Sequence, residues 1–242
     1  MGHVVRTLVG ILALLALAGC TRSLEFTYKP ATARLGAVEK TGALSFGVGK
    51  FEDKRSWIDA TDSKGLSYIA QQGPWKFGLT HEGREFVPVN ELLQSLFVTE
   101  LQNAGFQAKP LDGTASKQSR PQFTQFAQQA GMDYALGGEI LVFEFVNEEK
   151  FFTVTSRRAV TLALYVVRVR DGQSVVDSTF TELNREGEGM GVLHTTNADK
   201  LLHGPFKAVV EKVIAEVAQK LEVSSADISV KFVLSSGASP GS

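Results

Sequence analysis

Cysteine is almost absent from this chain: the one residue, Cys20, has no disulfide partner within the 242 residues. An excess of charge of one sign is also lacking, since 25 basic residues are matched by 26 acidic ones. We find no cluster of Lys and Arg that could neutralise phosphates, so nucleic acid is not an expected partner. After Cys20 no apolar run approaches the roughly 20 residues of a transmembrane helix. Attachment to a membrane would therefore have to come from lipid.

Signatures of catalysis and of metal binding are missing as well. The histidines beyond Cys20 are His81, His194 and His203, and no pair of them has the spacing of zinc ligands. The chain has no Gly-x-Ser-x-Gly nucleophile motif, and Gly47-Val48-Gly49 lacks the third glycine of a dinucleotide-binding loop. We therefore expect a protein that is not an enzyme and that uses no cofactor and no metal.

The amino terminus has the pattern of a secretory leader. A short segment with one basic residue, Met1 to Arg6, precedes an apolar run, Leu8 to Leu17, that is too short to span a bilayer. The small residues Ala18 and Gly19 allow a signal peptidase to approach the backbone. Residues 1–19 are therefore predicted to be a signal peptide.

The motif Leu17-Ala18-Gly19-Cys20 resembles the bacterial lipobox at all four positions. This resemblance implies that the Cys20 sulfur is diacylated, as with palmitate, that the chain is cut before Cys20, and that the new amine is acylated. Several acyl chains together hold a protein on a membrane essentially permanently. Thr21 stands where an Asp would retain the protein in the inner membrane, which favours an outer-membrane anchor with the domain facing the periplasm.

Beyond the leader, the sequence predicts one folded domain between two less regular segments. We expect a lipidated amino terminus and tether at 20–41, an α+β periplasmic domain at 42–234 and a flexible tail at 235–242. Apolar periodicity within the domain alternates between the helical and the extended pattern. It predicts a strand from Ala43, a hairpin of Tyr68–Ala70 with Trp75–Leu79, a helix at 87–104, a short strand at 106–108, a helix at 122–130, strands at 134–146, 152–169 and 175–183, a helix at 197–221 and a last edge strand at 228–234.

This order of elements predicts an α+β fold, a single domain with a mixed, largely antiparallel sheet packed by about three helices. The stretch Leu162 to Val167 is apolar on both faces, which indicates a central strand covered on each side. We expect a bulge at Gly137-Gly138 and a type I′ turn at Asp171-Gly172.

The densest polar cluster lies just after the first predicted strand and supplies the candidate site. In one interpretation, Asp53 and Arg55 bind a ligand carboxylate or a partner loop, and Trp57 and Trp75 contact a protein partner, because Trp and Arg dominate interface hot spots. In the other, Asp53 caps the turn and pairs with Arg55, while the indoles cover the edge of the core. Both interpretations remain open from sequence.

Four short segments resemble the YajG family of lipoproteins and related envelope lipoproteins with a TolB-amino-terminal-like fold. They are Leu24 to Pro30, Val48 with Asp53-Lys54-Arg55, Leu101 to Phe106, and Ala130 to Ile140. The resemblance implies a non-enzymatic periplasmic module with helices packed on a mixed sheet, and it carries over no catalytic residue. The chain departs from the smaller relatives in an insertion from about Ser56 to Phe86.

These observations together predict an outer-membrane-anchored lipoprotein whose non-catalytic periplasmic domain binds a protein partner in cell-envelope assembly, maintenance or transport. One alternative is an auxiliary lipoprotein of a lipid-trafficking ABC transport system, which requires an apolar groove for an acyl chain. A second is a periplasmic hydrolase, which requires converging polar residues.

Overall fold

A computed structural model of the chain describes residues 22–28, 44–59, 61–62, 64–72, 75–150, 153–189 and 198–221. The helices and strands within these ranges are, in chain order, β1 (Arg22–Glu25), β2 (Ser45–Lys50), β3 (Glu52–Asp53), a 3-10 turn (Gly65–Ser67), β4 (Tyr68–Gln72), β5 (Trp75–Thr80), α1 (Val89–Asn103), β6 (Gln107–Thr114), α2 (Arg120–Gln129), β7 (Tyr134–Lys150), β8 (Thr153–Arg168), β9 (Ser174–Gly189) and α3 (Ala198–Lys220). No helix in these ranges combines the length and apolarity needed to cross a membrane.

The strands form two sheets. The larger sheet has the order β6-β2-β7-β8-β9, with β3 pairing beside β2 along β7. Strands β6, β2, β3 and β7 pair in parallel, whereas β7, β8 and β9 form a long antiparallel meander. The smaller sheet has the order β1-β5-β4, in which β1 is parallel and β4 antiparallel to β5. The predicted α+β fold with a mixed sheet and three helices is confirmed.

Strand β8 lies between β7 and β9 and is covered on both faces, as predicted from its apolar sequence. Leu162, Leu164 and Val166 point into the larger core, which α1 and α3 complete. Tyr165 and Val167 point the other way, into a smaller core closed by Phe123 and Ala127 of α2. Because successive strand residues face opposite sides, a strand buried on both sides must be apolar throughout.

Helix α1 follows the predicted helical stripe closely. Leu92, Leu93 and Phe97 are almost completely buried, as the i, i+1, i+5 positions of one helix face require. The helix ends where Gly105 adopts a φ of +95° and the Phe106 N–H donates to the Leu101 carbonyl at 3.0 Å. Only glycine adopts this left-handed conformation without strain, so Gly105 terminates the helix as predicted.

Residues 22–28 belong to the folded domain, although they fall within the predicted tether at 20–41. Leu24, Phe26 and Tyr28 are buried, and the Tyr28 ring centroid lies 5.3 Å from that of Phe206 on α3. The partner of β1 is β5, more than 50 residues further along the chain. A four-residue strand carries little periodic signal, and its distant partner cannot be identified from the local sequence. The local pattern therefore predicts a tether at these residues and not a strand of the domain.

Strand β6 also extends further than predicted, from Gln107 through Pro110 to Thr114. It is the edge strand of its sheet, where a proline is tolerated because only one side of the strand carries ladder hydrogen bonds. The predicted strand at 228–234 and the predicted tail at 235–242 lie outside the described residues.

Two predicted backbone irregularities lie elsewhere. Gly137 and Gly138 pair regularly with β8, and the bulge falls between Ile140 and Val142. A Cβ on Gly138 would meet the backbone oxygen of Ala163, so close approach of the neighbouring strand explains this glycine.

The loop at Asp171-Gly172 is not a type I′ turn. Gly172 has a φ of +69°, but Asp171 has no positive φ, which a type I′ turn requires at both central residues. Both central residues have positive φ instead at Glu82-Gly83, where φ is +50° and +75°. That turn lies in the segment between β5 and α1.

Candidate functional site

The predicted pair Asp53–Arg55 forms a buried, bidentate ion pair at the end of β3. The Arg55 Nε and Nη2 atoms donate to the two carboxylate oxygens of Asp53 at 2.9 and 2.7 Å. The exposed fraction is 0% for the Arg55 side chain and 2% for that of Asp53. The Arg55 backbone N–H also donates to Asp53 Oδ1 at 3.3 Å, so the carboxylate caps this turn.

The remaining Arg55 donors reach backbone carbonyls of three different segments. Nη2 donates to Leu66 at 3.0 Å, and Nη1 donates to Phe143 of β7 at 3.3 Å and to Tyr68 of β4. One guanidinium therefore joins the 3-10 turn, the smaller sheet and the larger sheet. This is the geometry of the second interpretation, in which Asp53 and Arg55 serve the fold. Their charged groups are buried and engaged with each other inside the protein.

Trp57 lies directly on this buried pair. The Arg55 guanidinium carbon is 5.5 Å from the centroid of the Trp57 ring, within the range of a cation–π contact. Trp57 itself is half-buried, and its Nε1 has no hydrogen-bond partner among the described residues. Trp75 begins β5 and pairs with Gln72 of β4, and its side chain lies outside the described residues. Within the described part of the chain, the structure thus joins three of the four predicted residues.

A cleft of about 400 Å³ opens between the turn after β5 and one face of α1. Val87, Leu92 and Leu96 are apolar and at most 6% exposed, and they form its floor. The rest of the lining is largely polar and comprises Tyr28, His81, Glu82, Arg84, Glu91, Ser95 and Thr99. The cleft therefore differs from the apolar groove that the lipid-trafficking alternative requires.

The turn that forms one wall of the cleft is held in an unusual conformation. His81 and Arg84 pair through two backbone hydrogen bonds of 3.0 Å around Glu82-Gly83. Phe86 has a φ of +55°, which a bulky residue adopts only when its surroundings enforce it. Here the Phe86 ring lies over Gly78 of β5, in space that a Cβ at position 78 would occupy.

Charged groups at the cleft form a small network. Lys50 Nζ donates a hydrogen bond to Glu91 Oε1 at 3.2 Å, and Arg84 Nη2 lies 3.8 Å from Glu91 Oε2. Glu82 is 84% exposed and lies 3.9 Å from His81 Nε2. Burial, and next the hydrogen bond to Glu100, raises the pKa of Tyr28 well above its usual value, so this phenol remains protonated.

Sequence reasoning did not identify the cleft. Its residues come from the segment after β1, the turn after β5 and one side of α1, and of these three the sequence predicted the helix. Ser95 and Thr99 had the appearance of ordinary solvent-facing helix residues. Among the described residues, no three His, Cys, Asp or Glu side chains are grouped as metal ligands would be.

Neither the family models nor the curated proteins give a match to this chain. Among solved structures, it is similar to a DUF330 protein of Xanthomonas campestris, at 13% identity over 84% of this chain and 99% of that one, with a TM-score of 0.49. Lipoprotein GNA1162 of Neisseria meningitidis is similar at 12% identity, over 75% and 99%, with a TM-score of 0.33. TolB of Acinetobacter baumannii is similar at 12% identity, over 74% and 28%, with a TM-score of 0.35. At these TM-scores and identities, none of the similarities bears on function.

Proposed function

We propose that this chain is an outer-membrane lipoprotein, anchored through lipid on Cys20 and resembling the YajG family, whose periplasmic domain is non-catalytic and binds a protein partner in the cell envelope. The lipobox and the lack of any other cysteine support the anchor. The observation that supports the partner-binding role is the partly exposed position of Trp57 on the buried Asp53–Arg55 pair.

The buried pair gives Trp57 the physical properties of an interface residue. Arg55 is bonded to three backbone segments and so holds the turn in one conformation. An indole on such a support loses little conformational freedom on binding, and large aromatic side chains in this position dominate many interfaces. The Nε1 atom of Trp57 is itself buried and has no acceptor among the described residues, so a partner would contact the exposed part of the indole ring and not this N–H.

The anchor is tested with Cys20→Ala. We expect the variant to lose incorporation of labelled palmitate and either to move to the soluble fraction or to accumulate as a precursor. Thr21→Ala is the matched control and should retain the label. Label that persists in Cys20→Ala would refute lipidation at this residue.

The partner is tested by photo-crosslinking in cells, with benzoylphenylalanine placed at position 57 or 59 and, as a control, at position 179 on the exposed side of β9. We expect one envelope protein to be crosslinked from 57 and 59 and not from 179. Trp57→Ala should reduce the crosslink from 59, and Trp57→Phe should retain most of it, with unchanged melting curves. Equal crosslinking from all three positions, or none from 57 and 59, would contradict the proposed interface.

A further inference from the structure

We propose that the cleft between the turn after β5 and α1 binds a cation that donates N–H hydrogen bonds and is carried on an aliphatic stem, namely an Arg or Lys side chain of the protein partner. This deepens the proposed function by assigning the chemistry of the partner's anchoring residue. It rests on the proposed function only for the source of the cation, since the chemistry follows from the lining of the cleft.

The hydroxyl groups of the lining have already used their hydrogens. Ser95 Oγ donates to the Leu92 carbonyl at 2.8 Å, and Thr99 Oγ1 donates to the Ser95 carbonyl at 3.0 Å. A hydroxyl has one hydrogen and two acceptor lone pairs. Both residues therefore present only acceptors to a ligand.

The aromatic groups of the lining also use their hydrogens in hydrogen bonds within the protein. His81 Nδ1 lies 2.8 Å from the Phe26 carbonyl, which can only accept, so Nδ1 carries the hydrogen and Nε2 of the neutral ring is an acceptor. The Tyr28 hydroxyl donates to Glu100, and burial keeps the phenol protonated. A ligand in this cleft thus meets acceptors at His81, Ser95 and Thr99.

The charges favour a cation over a neutral donor. Glu91 is already shared between Lys50 and Arg84, whereas the Glu82 carboxylate has only His81 within 4 Å among the described ionisable groups. Glu82 is therefore the counterion that a ligand can use. Arg84 is 72% exposed, and among the described lining residues it is the one that opposes a cation.

The floor of the cleft fits the stem of such a side chain. Val87, Leu92 and Leu96 provide an apolar surface below the polar rim. Arg and Lys bury their methylene groups along apolar surface while the charged end reaches polar partners. Among the described lining residues, an anion would instead meet the acceptors of His81, Ser95, Thr99 and the carboxylates of Glu82 and Glu91, with Arg84 as the cation.

The test uses the full mature chain, residues 20–242, in detergent micelles, with amide NMR spectra recorded during titration. The probes are n-propylguanidinium, its neutral isostere n-propylurea and the anion butyrate. We expect n-propylguanidinium to give saturable shifts at residues 81–84 and 95–99, n-propylurea to bind about tenfold more weakly, and butyrate to leave these amides unchanged. Butyrate binding as tight as that of the cation, or no saturable shift with the cation, would overturn the proposal.

Charge variants of opposite sign make the assignment specific. We expect Glu82→Gln to weaken n-propylguanidinium binding about threefold and Arg84→Gln to tighten it by a similar factor, as for solvent-exposed ion pairs. Glu85→Gln makes the same charge change at the next acidic residue, which does not line the cleft, and should have no effect. If Glu85→Gln weakened n-propylguanidinium binding as much as Glu82→Gln, the affinity would depend only on the overall negative charge of the region, and the site would be refuted.

A final arm identifies the source of the cation. The blocked peptide acetyl-Ala-Arg-Ala-amide should bind at least as tightly as n-propylguanidinium, which has the same single charge and the same stem without a peptide backbone. Tighter binding of n-propylguanidinium would overturn the partner-borne side chain and assign the cleft to a small free cation. These titrations need no partner protein, so their failure is separate from failure of the crosslinking test at Trp57.

Discussion

Replacement of Arg55 by alanine is the sharpest test of the architecture around the candidate site. The substitution leaves the Asp53 carboxylate, whose side chain is 2% exposed, without its counterion. It also removes the donor from three backbone carbonyls, those of Leu66, Tyr68 and Phe143. Removing one partner of a buried ion pair destabilises a protein by about 3–5 kcal/mol, because the other charge stays buried and unpaired.

We therefore expect Arg55→Ala to lower the free energy of unfolding by about 3–5 kcal/mol. Arg55→Lys should recover little, since an ammonium group cannot make the bidentate contact and also reach the carbonyls. The double variant with Asp53→Ala should be less destabilised than the sum of the single variants, by about 2 kcal/mol or more, as neighbours in one network are coupled.

The measurement is urea unfolding followed by circular dichroism, with the midpoint and slope fitted separately. Arg84→Ala is the matched control, because its 72% exposed guanidinium should leave stability nearly unchanged. A loss below about 1 kcal/mol for Arg55→Ala, or additive effects with Asp53→Ala, would refute the structural role of the pair.

Four further changes test the packing described above. Val213 on α3 is fully buried, so Val213→Asp should destabilise by several kcal/mol, roughly 3–5, and an unchanged melting temperature would place this face outside the core. The Tyr165 hydroxyl is buried without a hydrogen-bond partner among the described residues, so Tyr165→Phe should be neutral or stabilise by about 1 kcal/mol, whereas a clear loss in urea unfolding would reveal a missed partner. Gly138→Ala forces β7 away from the Ala163 carbonyl and should lower the free energy of unfolding by about 1–3 kcal/mol. An unchanged stability would contradict the close contact between these strands. Burial and Glu100 raise the pKa of Tyr28 in the folded state, so the contribution of Tyr28 to folding stability is complete below the usual tyrosine pKa of about 10 and is lost as pH rises beyond it. The free energy of unfolding should therefore fall above that pH, and the fall should be smaller in Tyr28→Phe.

The elements that sequence predicted well are those with a local signal. Helix α1 and helix α3 each place apolar residues at helical spacing over several turns, and both were placed within about two residues of their observed ends. β8 was identified as central because a strand covered on both faces must be apolar on both. These patterns need no knowledge of the partner element.

The features that sequence missed depend on distant residues. Strand β1 has a four-residue pattern whose meaning lies in β5, and the cleft combines a turn, a helix face and Tyr28 from three separate segments. For Asp53 and Arg55, the spacing suggested an ion pair, but their burial follows from carbonyls on β4, the 3-10 turn and β7. No local pattern contains that information.

The position of β1 also determines how the domain stands on a membrane. Only one residue separates Cys20 from Arg22, so the two Cα atoms are at most about 7 Å apart whatever the conformation between them. In the proposed lipoprotein, with lipid on Cys20, the amino end of β1 therefore lies close to the headgroups. Strand β5 runs parallel to β1, with Arg22 beside Phe77 and Glu25 beside Thr80. The turn at His81–Arg84 follows the last residue of β5, so this turn and the cleft behind it lie at the end of the strand pair remote from residue 22 and from the proposed anchor.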